Sequence, residues 1–93
     1  MLESQRQHKV LKYLETLPKV WACKIVVGNK SGIPDIIGVL DGKFFAIEMK
    51  TPKGKLSKIQ EWVRELIEEA NGLYLVATNV KQVKEFINEQ SKL

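Results

Sequence analysis

The sequence predicts an α/β domain built on a mixed four-stranded sheet with helices on its faces. Two signals carry that expectation. Asp41-Gly42 separates two apolar runs, IIGVL and KFFAIEMK, and Asp-Gly between such runs marks a two-residue hairpin. Beyond the hairpin, an amphipathic helical stretch leads to another apolar strand. A strand–helix–strand connection of this kind runs parallel through a right-handed crossover.

Each element has its own reason. Glu3, Gln7, Val10, Leu14 and Leu17 recur at helical spacing, predicting a helix over 3–16 that Pro18 ends. Residues 20–27 (VWACKIVV) are β-branched and aromatic enough for a strand, and 28–32 (GNKSG) form a loop. The hairpin strands span about 34–40 and 43–50, followed by a basic loop over 51–56 that contains Pro52 and Gly54. Ser57 with Gln60 three residues on is a capping box. It opens a helix whose apolar side is Ile59, Trp62, Val63, Leu66, Ile67 and Ala70, with Gly72 at the C-terminal cap position. Residues 73–78 read as an apolar strand, and Asn79 caps a last helix over about 80–90.

The 93 residues are expected to form one domain over 1–93, and a net charge of +4 permits a polyanionic partner without requiring one. Cys23 is the sole cysteine, so no intramolecular disulfide exists and nothing points to an oxidising compartment, and its flanks, Trp21-Ala22 and Lys24-Ile25, lead us to expect a buried strand thiol. No apolar run approaches the roughly 18 residues of a membrane span, and the polar start is not that of a signal peptide. A cytoplasmic location is expected.

The chemistry follows from the register. With Asp41 and Gly42 as the turn, facing residues have numbers summing to 83. Asp35 then lies opposite Glu48, on a non-hydrogen-bonded pair where side chains are closer. Lys50 projects to the same face as Glu48. Like charges directly across an antiparallel pair destabilise it, so a shared proton, a neighbouring cation or a bound metal must offset the repulsion. Two carboxylates beside an ammonium suit a hard divalent cation that also holds substrate phosphate. The chemistry implied is metal-assisted phosphodiester hydrolysis.

Gly32-Ile33-Pro34-Asp35 followed by Glu48-Met49-Lys50, in an αβββαβα order, resembles the PD-(D/E)xK nucleases with their restriction-endonuclease-like fold. Glu3 near the start of the first helix and Leu56-Ser57-Lys58-Ile59-Gln60 after the lysine narrow the resemblance to the VRR-NUC family, in its small stand-alone phage and bacterial form. The resemblance covers essentially the whole chain. It implies Mg2+- or Mn2+-dependent DNA endonuclease activity on branched or structured DNA such as junctions or flaps. It also implies homodimerisation and action in a bacterial or phage-infected cell. A non-catalytic DNA-binding module on the same scaffold is the alternative, although neither carboxylate nor the lysine is missing.

The resemblance distributes roles. Asp35 and Glu48 are metal ligands, together with the Met49 backbone carbonyl, while the Met49 side chain packs in the core. Lys50 orients or deprotonates the attacking water and stabilises negative charge in the transition state, unless the metal supplies that deprotonation. Glu3 contributes to the metal centre, at a second ion or through water; as plain structure it would complement the helix dipole. Gln60 helps position Lys50 or the water, beside its capping role. Lys30, Lys53, Lys55 and Lys58 bracket the site and are expected to contact DNA phosphates, a contact that is salt-dependent and blind to base sequence. His8 is expected at the surface, and Trp62 in the core or a dimer interface.

Overall fold

The computed structural model describes residues 3–26 and 28–91. Along them run α1 (Glu3–Glu15), β1 (Val20–Lys24), β2 (Ile36–Leu40), β3 (Lys43–Met49), α2 (Lys58–Glu69), β4 (Leu73–Ala77) and α3 (Val80–Ser91). The sheet order is β1-β2-β3-β4, antiparallel except for the β3–β4 pair, which is parallel. The predicted αβββαβα order and mixed sheet are therefore present. The first strand stops earlier than predicted, at Lys24, and residue 27 of that prediction lies outside the described residues.

The hairpin register is the predicted one. Leu40 pairs with Lys43 and Ile36 with Ile47, across a turn in which Asp41 and Gly42 both have positive φ (48° and 88°). Positive φ at both central residues matches the twist of the flanking strands. Alternation then gives the sheet two different faces. Phe45, Ile47 and Met49 point to one face and pack with Val10 and Leu14 of α1 and Val83 and Ile87 of α3, all buried. Phe44, Ala46 and Glu48 point to the other, where α2 packs.

α2 is capped as predicted: Ser57 N–H donates to Gln60 Oε1 at 2.9 Å and Gln60 N–H to Ser57 Oγ at 3.3 Å. Its far end differs. Asn71, not Gly72, takes the left-handed conformation (φ 68°), and Gly72 N–H donates to the Ile67 carbonyl at 2.9 Å. Gly72 is instead small because a Cβ there would sit 2.7 Å from the Ile67 side chain. Asn79 caps α3 through its Oδ1, which accepts from Gln82 N–H at 3.0 Å.

The apolar side of α2 is not a core face. None of its residues is buried, and Trp62 and Leu66 remain 55% and 45% exposed. By register, Trp21, Val39 and Phe44 share the sheet face on which α2 lies, and all three are exposed. An apolar groove of about 620 Å3 runs between, lined by Ile33, Phe44, Ile59, Trp62 and Leu66 among others. The expectation of Trp62 as core residue or interface resolves against the core.

On the opposite face the sheet is tightly filled. A Cβ at Gly38 would lie 2.4 Å from the Trp21 carbonyl oxygen and 2.6 Å from Phe45 Cζ. Gly38→Ala should therefore cost about 2 kcal/mol through overpacking and lower the melting temperature by roughly 10 °C. A thermal melt by circular dichroism checks it; an unchanged midpoint would show that Phe45 moves freely.

Candidate active site

Pro34 and Asp35 sit where β2 begins, and they shape the site through what the backbone lacks. Continuing the hairpin register places residue 34 opposite residue 49 at a hydrogen-bonded position, where each residue normally donates to the other. Proline has no N–H, so it cannot donate to the Met49 carbonyl. The Met49 N–H donates instead to Asp35 Oδ2, at 2.8 Å. On its other side, the Asp35 carbonyl accepts from Ile25 N–H at 2.8 Å. Asp35 is thus fastened to both neighbouring segments, with its carboxylate against the end of β3.

Glu48 projects to the same face and is only 4% exposed. Its Oε1 is buried with no hydrogen-bond partner. Lys50 Nζ lies 3.9 Å from Glu48 Oε2, at the outer limit of an ion pair. Burial, first of all, raises the Glu48 carboxyl from 4.5 to about 8. The neighbouring Asp35 carboxylate pushes the same way, Lys50 opposes, and Glu3 adds a smaller upward push. The like-charge conflict foreseen from the register is present, and protonation of Glu48 relieves it when no cation is there.

The remaining predicted residues fall at different distances from this centre. Glu3 is the exposed first residue of α1, its charge felt at Glu48. It does not complete a three-carboxylate cage: among the described residues, no group of three or more His, Cys, Asp or Glu gathers. Gln60 uses its side-chain carbonyl in the α2 cap, leaving its amide N–H groups to act elsewhere. Lys30, Lys53, Lys55 and Lys58 are all exposed, and Lys30 lines the α2 groove.

Sequence reasoning missed Tyr74. It lies in β4, paired with Ala46, and is only 6% exposed; its hydroxyl is buried without a partner. Burial chiefly, then the Glu48 charge, pushes the phenol up to about 12. The only hint in the sequence was a polar tip within an apolar strand (LYLVA).

The donor set suits a hard divalent cation. Two carboxylates and a backbone carbonyl deprived of its strand partner offer oxygens only, and the orphaned Glu48 Oε1 is the kind of buried atom such an ion satisfies. No metal chemistry is needed for a first check. Between 4.5 and about 8 folded Glu48 keeps a proton that the unfolded chain has lost, so stability falls as pH rises through that window. In EDTA the melting temperature should decline from pH 4.5 to 8, and Glu48→Gln should flatten that part of the profile. Matching slopes in the two proteins would rule out the buried, proton-holding carboxyl.

The VRR-NUC domain family model matches residues 3–81. A solved chain described as "VRR_NUC domain" superposes with a TM-score of 0.78, covering 92% of this chain and 94% of that one, at 23% identity. No curated protein matches. At that identity the structural likeness speaks for the fold, and the family model carries the assignment: the chain belongs to the VRR-NUC family of PD-(D/E)xK nucleases.

Proposed function

We propose that the protein is a metal-dependent DNA endonuclease that hydrolyses phosphodiester bonds in branched or structured DNA, using Mg2+ or Mn2+. The observation that carries this is the buried, unpartnered Glu48 Oε1 beside Asp35, with Lys50 on the same face. Asp35, Glu48 and the Met49 carbonyl would hold the cation, with Glu3 contributing through water or at a second ion. When bound, the cation supplies charge stabilisation at the scissile phosphate and acidifies water.

The chain's own groups do the rest. Lys50 places an ammonium beside the reacting phosphate, where it orients the attacking water and stabilises the developing negative charge. Gln60, fixed by the α2 cap, turns its amide N–H groups toward that water or Lys50. Exposed Lys30, Lys53 and Lys55 contact backbone phosphates, fixing the duplex without reading bases, while Lys58 pairs across the dimer interface. In the cell such an enzyme would act in the cytoplasm of a bacterium or phage-infected host. Consistent with this, no helix among the described residues is long and apolar enough to cross a membrane.

A second copy of the chain covers the α2 groove in this reading. Lys58 lies near one end of the α2 stripe, and Glu65 and Glu69 follow at helical spacing on the same flank. Antiparallel packing about a two-fold axis near Trp62 sets Lys58 against Glu65 and Glu69 of the partner subunit, and the symmetry repeats the contact. The dimer would present two sites to a symmetric junction.

Two experiments test this reading. Asp35→Asn and Glu48→Gln should abolish cleavage, and Lys50→Met should slow it by about 10²–10⁴-fold, all with native circular dichroism. The assay compares linear duplex, flap, four-way junction and single-stranded RNA with Mg2+, Mn2+ or EDTA. Wild-type binding without cleavage under every condition would favour the non-catalytic module. For the dimer, sedimentation should give twice the 10.6 kDa chain mass. Lys58→Glu should weaken association about tenfold through two symmetric ion-pair contacts, and adding Glu65→Lys with Glu69→Lys should restore it. A monomer at tens of micromolar, or a dimer indifferent to Trp62→Glu, would sink this interface.

A further inference from the structure

The buried Tyr74 hydroxyl has no partner, and neither has Glu48 Oε1. Buried polar atoms of this kind are almost always satisfied by protein or by ordered water, and a buried water itself needs two or more polar partners. The two orphans are neighbours. Tyr74 pairs with Ala46 in the parallel β3–β4 ladder, and Glu48 is two residues further along on the same face. Strand spacing and rise put their Cα atoms about 8 Å apart, a gap that a phenol, a carboxylate and one water span.

The surroundings hold the ring still. The small Ala46 opposite leaves room for it, and the Arg64 guanidinium of α2 sits 5.3 Å from the ring centroid. Arg64 is itself held by Glu68, Nε to Oε1 3.5 Å. A phenol clamped between helix and sheet keeps its hydroxyl where the strand register puts it.

We propose that Tyr74 is a positioning residue for the candidate cation site: its hydroxyl donates through one water to Glu48 and holds that carboxylate in the orientation that accepts a divalent cation. The proposal rests on the metal-site reading above. Outer partners of ligating carboxylates fix ligand geometry, and their removal typically weakens metal affinity 10–100-fold. Tyr74 touches neither the cation nor the DNA; it acts through Glu48.

The test pairs two readouts on the intact chain. Mn2+ binding is followed by the loss of the free-ion electron paramagnetic resonance signal, and thermal stability is followed in EDTA. Tyr74→Phe should raise the Mn2+ Kd about tenfold while leaving the metal-free melting temperature unchanged or slightly higher, because it removes an unpaired buried hydroxyl. Excess Mn2+ should then recover cleavage. Mn2+ affinity equal to wild type would overturn the role of Tyr74 alone. So would a metal-free melting temperature several degrees lower, which would assign the hydroxyl to the fold. Wild-type protein that takes up no Mn2+ would instead remove the metal site, and this proposal with it.

Discussion

The structure depends on the register of one hairpin. Because Asp41 and Gly42 both adopt positive φ, the strands close with Leu40 opposite Lys43, and everything beyond is counted from there. A slip of one residue would turn Glu48 into the α1–α3 core and Met49 out of it. The apolar residues of β3 prevent this: Phe45, Ile47 and Met49 are buried together and tolerate no exchange of faces. Packing on one side of the sheet thus enforces an unfavourable meeting of carboxylates on the other.

Stability and function pull against each other at Glu48. A group so buried, with an acid beside it and its cation at the edge of contact, weakens the metal-free protein near neutral pH. Supporting elements converge on the same end of the sheet. The N-terminus of α1 brings the charge of Glu3 to Glu48, and β4 brings Tyr74 beside it. Proline at position 34 belongs to the same arrangement, since it has no N–H to offer the Met49 carbonyl.

Much of this was legible in the sequence, for local reasons. The turn chemistry of Asp41-Gly42 and the alternation of its flanks fixed the facing of Asp35 and Glu48, and the capping box at Ser57 and Gln60 fixed where α2 begins. Three things were not legible. The stripe of Ile59, Trp62 and Leu66 shows that α2 has an apolar side, but periodicity cannot say that this side lacks a cover within the chain. Asn71 displaced Gly72 from the left-handed position because Gly72 was needed for close approach to Ile67, a tertiary demand. Tyr74 falls on the same face as Glu48, one strand over, only through the parallel β3–β4 register, which no short-range signal specifies.

The tether from Met49 N–H to Asp35 Oδ2 has a consequence of its own. One lone pair of Asp35 Oδ2 is committed to the main chain, which fixes the direction in which that carboxylate faces Glu48. The amide at the other end of that tether then becomes a spectroscopic reporter built into the backbone. Its proton resonance would sense an ion taken up at the proposed site, through the carboxylate that accepts its hydrogen bond.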